Sequence, residues 1–242
     1  MELRICHLYP DLLNLYGDRG NITTLVRRAQ WRGIATRVVE ARLGDAIDPD
    51  GSDLYFIGGG EDRQQRLAAP DLCGVKGDAL RRAADGGAAV LGVCGGYQLL
   101  GHYYRPAEGA DLKGLGLLDL HTLHPGPAAR RLIGNIVIRE ATAGVRLVGF
   151  ENHGGRTHLG PQARPLGVVE TGFGNNGTDR TEGALGGSVY GTYLHGPLLP
   201  KNPWLADLLI GLALRRRHGD VHLDPLADAE EHRAADAAAQ RR

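Results

Sequence analysis

The segment Gly92-Val93-Cys94-Gly95-Gly96 limits what this chain can fold into more than any other stretch. It follows the apolar run Ala88-Ala89-Val90-Leu91 and precedes Tyr97-Gln98-Leu99-Leu100. That order reads as a buried strand, a sharp turn and a helix, the cysteine form of the G-x-S-x-G elbow. Glycines flank the central residue because so tight a turn leaves no room for side chains beside it. The turn lifts the thiol out of the sheet and sets it over a helix N-terminus, where unpaired amides and the helix dipole favour a thiolate. The same residues suit a buried cysteine in a glycine-rich turn, but the strand–Cys–helix order favours a nucleophile.

The elbow needs a sheet to stand on, and the preceding residues supply one. Glu2–Tyr9, Thr36–Val39, Asp53–Ile57 and Ala88–Val93 read as strands, and Asn21–Trp31 and Asp78–Ala84 as helices. Strands alternating with helices predict an open, mostly parallel α/β sheet with helices on both faces, of flavodoxin-like type. After Gly116 the runs shorten: Leu117–Leu120, Gly134–Arg139, Val145–Phe150, Leu166–Glu170 and Ser188–Leu194 predict a mixed or antiparallel extension of that sheet. A last helix is expected from Pro203 to about His218. Residues 1–223 then form one domain, and 224–242 a charged, alanine-rich tail, helical or disordered.

Composition excludes several functions. Lysine plus arginine and aspartate plus glutamate both number 28, so no global positive field points to nucleic acid. The three cysteines, Cys6, Cys73 and Cys94, lack paired spacing, which argues against a disulfide framework. With no signal peptide and no membrane-length apolar run, a cytoplasmic protein without membrane insertion is expected. No G-x-x-x-x-G-K-[ST] occurs, so no ATP loop of that type is present. His121 and His124 have ligand-like spacing without supporting motifs and read as loop histidines, so no metal site is expected.

A thiolate attacking an amide needs a base and an oxyanion hole. His195, in Gly191-Thr192-Tyr193-Leu194-His195-Gly196-Pro197, ends a strand-like run, where open α/β sheets gather ligands. Gly58-Gly59-Gly60 follows a strand and is either a plain loop or, with the Gly95 amide, a set of oxyanion donors at Gly59 or Gly60.

Cys94-Gly95-Gly96-Tyr97-Gln98 with the later His195 resembles the class I, triad-type glutamine amidotransferases. The common form of that family has glutamate two residues after the histidine; here Pro197 stands there, and the Tyr193-Leu194-His195-Gly196 form resembles the cobyric-acid-synthase-like branch. Leu15-Tyr16-Gly17-Asp18-Arg19-Gly20-Asn21, Phe150–Thr157 and Gly172–Asn176 add similarity to the stand-alone glutaminase subunits of lipid II isoglutaminyl synthases. The resemblance implies hydrolysis of L-glutamine through a cysteine thioester. Cys94 is then the nucleophile and His195 the base. Arg131, with Arg130 beside it, holds the substrate carboxylate, and Gln98 is a second substrate contact. It further implies no cofactor in this chain and a heterodimer with a Mur-ligase-like synthetase subunit. That partner carries ATP and Mg²⁺ and supplies the third catalytic residue, an aspartate. Two other readings are open: a cysteine hydrolase acting on another amide, and a non-catalytic subunit that stabilises a ligase.

Overall fold

The computed structural model describes residues 1–240. Strand and helix alternate through the first hundred: β1 (Glu2–Leu8), α1 (Arg19–Gln30), β2 (Ala35–Ala41), β3 (Leu54–Ile57), α2 (Asp62–Gly74), α3 (Gly77–Asp85), β4 (Ala89–Val93) and α4 (Gly95–Leu100). The four strands pair in parallel in the order β4-β3-β1-β2. Every residue of β3 and β4 is buried, the pattern of parallel strands covered on both faces.

Ten short strands follow: β5 (Tyr103–Arg105), β6 (Leu112–Lys113), β7 (Leu120–Leu123), β8 (Leu132–Glu140), β9 (Arg146–His153), β10 (Arg156–Leu159), β11 (Gly167–Thr171), β12 (Thr181–Glu182), β13 (Ala184–Gly186) and β14 (Val189–Thr192). Only the last two extend the central sheet, contrary to the expectation for this whole region. β14 pairs in parallel with β4, and β13 closes that edge antiparallel. The others form two separate four-stranded sheets, β10-β7-β5-β6 and β12-β11-β8-β9. The switch between sheets falls at Gly183, whose φ of 62° turns the chain between β12 and β13. A Cβ there would lie 2.6 Å from the Gly191 carbonyl, so the kink requires glycine. The expected strand at Leu117–Leu120 is mostly turn, and the strand begins at Leu120.

α5 (Pro203–His218) begins with proline in its first turn, as read from the sequence. It packs beside α1 and against β1, β3 and β4. Arg28 of α1 is 2% exposed and is held by Asp207 of α5 and by Asp228, at 2.7 and 2.6 Å. Past Asp228, α6 (Ala229–Gln240) lies against β8, β9 and the Leu199–Lys201 turn. Arg241 and Arg242, the end of the expected tail, lie outside the described residues.

Candidate active site

The site forms where the parallel strands end. Cys94 follows β4 directly, with φ 51° and ψ −105°, a conformation that non-glycine residues rarely hold. Packing explains the glycines around it. A Cβ at Gly96 would sit 2.3 Å from the Ile57 carbonyl, and one at Gly92 2.9 Å from the Gly96 carbonyl carbon. The elbow is pressed onto the adjacent strand, and substitution on either side would force backbone apart.

The Gly58–Gly60 loop is pinned opposite the elbow. Gly96 donates its N–H to the Gly58 carbonyl at 3.1 Å, and Leu15 donates to the Gly59 carbonyl at 3.1 Å. Gln65 Nε2 donates to the Gly60 carbonyl at 3.2 Å. The Gly59 N–H goes to Asp18 Oδ2 at 2.5 Å. A Cβ built on Gly59 would lie 3.0 Å from His195 Cε1 and 3.4 Å from Cys94 Cβ, so three expected site residues meet here. Asp18 takes the Gly59 amide, whereas the Gly95 N–H bonds the Cys94 sulfur. Gly60 N lies 2.9 Å from the Cβ position of Gly95. Asp18 belongs to the Leu15–Asn21 segment, which docks on the turn after β14. A Cβ at Gly20 would meet Pro197 Cγ at 2.6 Å, and Leu199 N–H donates to Asn21 Oδ1 at 2.9 Å.

Electrostatics reverse one expectation. Burial pushes the Cys94 thiol up to about 12, and the nearby Asp18 carboxyl adds to the effect. The Gly95 N–H and the Arg131 charge pull the other way but lose. Desolvation is the largest of these effects, because Cys94 is almost fully buried. The resting sulfur is a thiol. Burial also pulls His195 down to about 3, with His153 and Arg131 contributing, so its imidazole is neutral near pH 7. His195 stands just past β14 and is fixed by backbone bonds in both directions with Phe150 of β9, at 2.9 and 3.2 Å.

Cys94 opens into a cavity of about 530 Å³. Arg131, not Arg130, lines it. Asn152 aims the guanidinium, its side-chain and backbone oxygens accepting at 2.8 and 2.9 Å. Gln98 also lines the cavity, but both ends of its amide are engaged. Gln65 donates to it at 3.0 Å, and it donates to Tyr193 Oη at 3.0 Å. A polar chain therefore runs beneath the cavity from Gly60 through Gln65, Gln98 and Tyr193 to Thr157 and Thr122. Gln98 is the midpoint of this support.

Gln65, Asp18, Tyr193 and His153 were not singled out from the sequence. Asp18, Tyr193 and His153 lie inside motifs that were, which was the available signal. His153 stacks on Tyr193 with ring centroids 3.6 Å apart. Glu151, fully buried, accepts from the N–H groups of Phe173 and Gly174 at 2.6 and 2.9 Å, binding the Phe150–Thr157 and Gly172–Asn176 motifs into one unit. Asn175 accepts from Tyr97 Oη at 3.0 Å, beneath the elbow. Asn175 thus serves the scaffold, whereas Asn152, His153 and Gly154 face the cavity. His121 is in a strand, not a loop, stacked between Tyr103 and His158; His124 follows that strand and lines the cavity.

The CobB/CobQ-like glutamine amidotransferase domain matches residues 4–203. Lipid II isoglutaminyl synthase (glutamine-hydrolyzing) subunit GatD of Staphylococcus aureus is 46% identical over 216 residues, covering 89% of this chain and 86% of that protein. The Streptococcus pneumoniae subunit of the same name is 40% identical over 228 residues, covering 94% and 86%. Among solved structures, PurLQS from Thermotoga maritima has a TM-score of 0.57 at 19% identity, over 88% of this chain and 96% of that one, a likeness of fold.

Proposed function

This chain belongs to the CobB/CobQ-like glutamine amidotransferase family, and on that premise we propose that it is the glutamine-hydrolysing subunit that supplies ammonia for amidation of lipid II. The observation that carries this reading is the meeting of Cys94 and His195 around Gly59, at a cavity that also holds Arg131.

Glutamine binds with its α-carboxylate on the Arg131 guanidinium, whose planar fork suits a two-point grip. The Cys94 sulfur attacks the side-chain amide carbon while its proton passes to the neutral His195. The Gly60 and Gly95 amides hold the oxyanion; one such donor is worth on the order of 3 kcal/mol of barrier. The imidazolium returns its proton to the leaving nitrogen, ammonia departs and a γ-glutamyl thioester remains. Water, deprotonated by His195, then releases glutamate and the free thiol.

Pro197 stands where the common family form has an acid. In this reading an aspartate of a partner subunit orients His195, and that partner is a Mur-ligase-like synthetase that activates the D-glutamate α-carboxylate of the stem peptide with ATP and Mg²⁺. Bulk water would protonate free ammonia and remove its nucleophilicity, which favours transfer within a cytoplasmic heterodimer. With the partner present, the chain should release glutamate from glutamine, and Cys94→Ala should abolish release. Full turnover by that variant would overturn the assignment.

A further inference from the structure

The cavity has two oppositely charged walls. Arg131, just before β8, forms one; Asp62, the first residue of α2, lies in the other. They are close. A Cβ at Gly154 would lie 3.5 Å from Arg131 Nη1 and 2.5 Å from His124 Nε2, and one at the next residue, Gly155, 3.5 Å from Tyr104 Cε2. Tyr104 Oη in turn donates to Asp62 Oδ1 at 2.9 Å. Burial lowers the His124 imidazole, the Asp62 carboxylate opposes that, and Arg156 and Arg131 add to the lowering, so His124 feels both walls. Tyr104 is almost fully buried, so it holds the Asp62 carboxylate in one orientation and leaves Oδ2 able to accept from a ligand. Glu61 also lines the cavity, but it is exposed and its side chain makes no capping bond.

We propose that Asp62 is a specificity-determining residue that binds the α-ammonium group of the substrate while Arg131 binds its α-carboxylate. This inference rests on the glutaminase reading and names what selects the substrate. A cavity with Arg131 alone would accept any carboxylic acid bearing a terminal amide at the right distance. A zwitterionic head group needs both charges, and only an acid in the same cavity as the arginine rewards the ammonium. An acid at the first position of a helix also favours the helix dipole, so the test must separate recognition from support.

Hydrolysis of L-glutamine is compared with hydrolysis of 4-carbamoylbutanoate, which has the same carboxylate and amide but no ammonium. The full-length chain should favour glutamine, and Asp62→Asn, which keeps an acceptor for Tyr104, should raise the KM for glutamine roughly 10- to 100-fold. Its kcat/KM for 4-carbamoylbutanoate should stay within about twofold of the parent, and Glu61→Gln should resemble the parent on both. Equal losses on the two substrates would make Asp62 a structural residue and overturn the inference, as would no change on either. A parent that hydrolyses neither substrate, with or without partner, would overturn the glutaminase reading itself and this inference with it.

Discussion

Asp18 Oδ2 accepts the Gly59 N–H at 2.5 Å inside the protein, one residue from the amide proposed for the oxyanion. Burial raises this carboxyl from 3.8 to about 7, against the lowering effect of the Gly59 bond. An acid whose folded pKa lies above its unfolded value binds its proton more tightly in the fold. Its stabilising contribution is therefore full below pH ~4 and is lost as the pH rises toward 7. Glu182, raised by burial to about 7, acts in the same sense. His7 and His195, lowered by burial to about 4 and about 3, act oppositely, so their stability is lost as the pH falls below 6.5. The whole-protein profile mixes these, but a variant isolates one. Relative to the parent, Asp18→Asn should gain on the order of 3 kcal/mol between pH 5 and pH 8. Urea midpoints at the two pH values measure this, and an unchanged difference would show that Asp18 is not perturbed.

With the thiol up at about 12 and the imidazole down at about 3, neither group is ionised near neutrality. Attack then depends on proton transfer to His195. His195→Ala should slow alkylation of Cys94 by an electrophilic glutamine analogue by about 100-fold or more. Because His195 remains neutral well below the usual histidine range, the acid limb of kcat/KM should fall far under pH 6.5. Undiminished labelling would remove His195 as base, and an acid limb at 6.5 would show that the free enzyme's histidine is not desolvated.

Local chemistry made the elbow, the Gly58–Gly60 loop and His195 legible in the sequence, since each is a short motif at a strand end. Arg131 was legible only by resemblance. What escaped depends on residues far apart in the chain. Asp18 reaches Gly59 across 41 positions. Tyr193 meets Gln98 across 95. A motif shows the helix that follows Cys94 but not how completely the residue is buried, which is what raises its thiol. The two small sheets were merged with the large one because strand periodicity is silent on which edge a strand joins, and the deciding kink at Gly183 looks like any other glycine.

The adjacent arginines give a sharp comparison. Arg131 lines the cavity and is aimed by Asn152, whereas Arg130 offers its backbone carbonyl to Arg156 at 2.7 Å. Arg131→Lys loses the planar fork while keeping the charge, and should raise the KM for glutamine about 10-fold or more with a smaller change in kcat. Arg130→Lys should leave both within about twofold. Steady-state kinetics on the two variants decide it; the reverse pattern would shift the substrate grip to Arg130.

A buried charge helps tie the C-terminal helix to the body. Arg28 binds Asp207 and Asp228 together, and Arg32 adds a second hold on Asp207 at 2.6 Å. Removing the arginine leaves Asp228 facing low-dielectric surroundings without its partner, while Asp207 keeps Arg32. Arg28→Ala should therefore cost about 3–5 kcal/mol of global stability. Asp228→Asn keeps Arg28 compensated by Asp207, so its global cost should be nearer 1–2 kcal/mol. Its local effect should be larger, because no residue of α6 is itself buried and the helix depends on this anchor. Hydrogen exchange should accelerate across residues 229–240 in Asp228→Asn while β3 and β4 stay protected. Unchanged exchange in that helix would show that its contacts with β8 and β9 hold it without the Arg28 clamp.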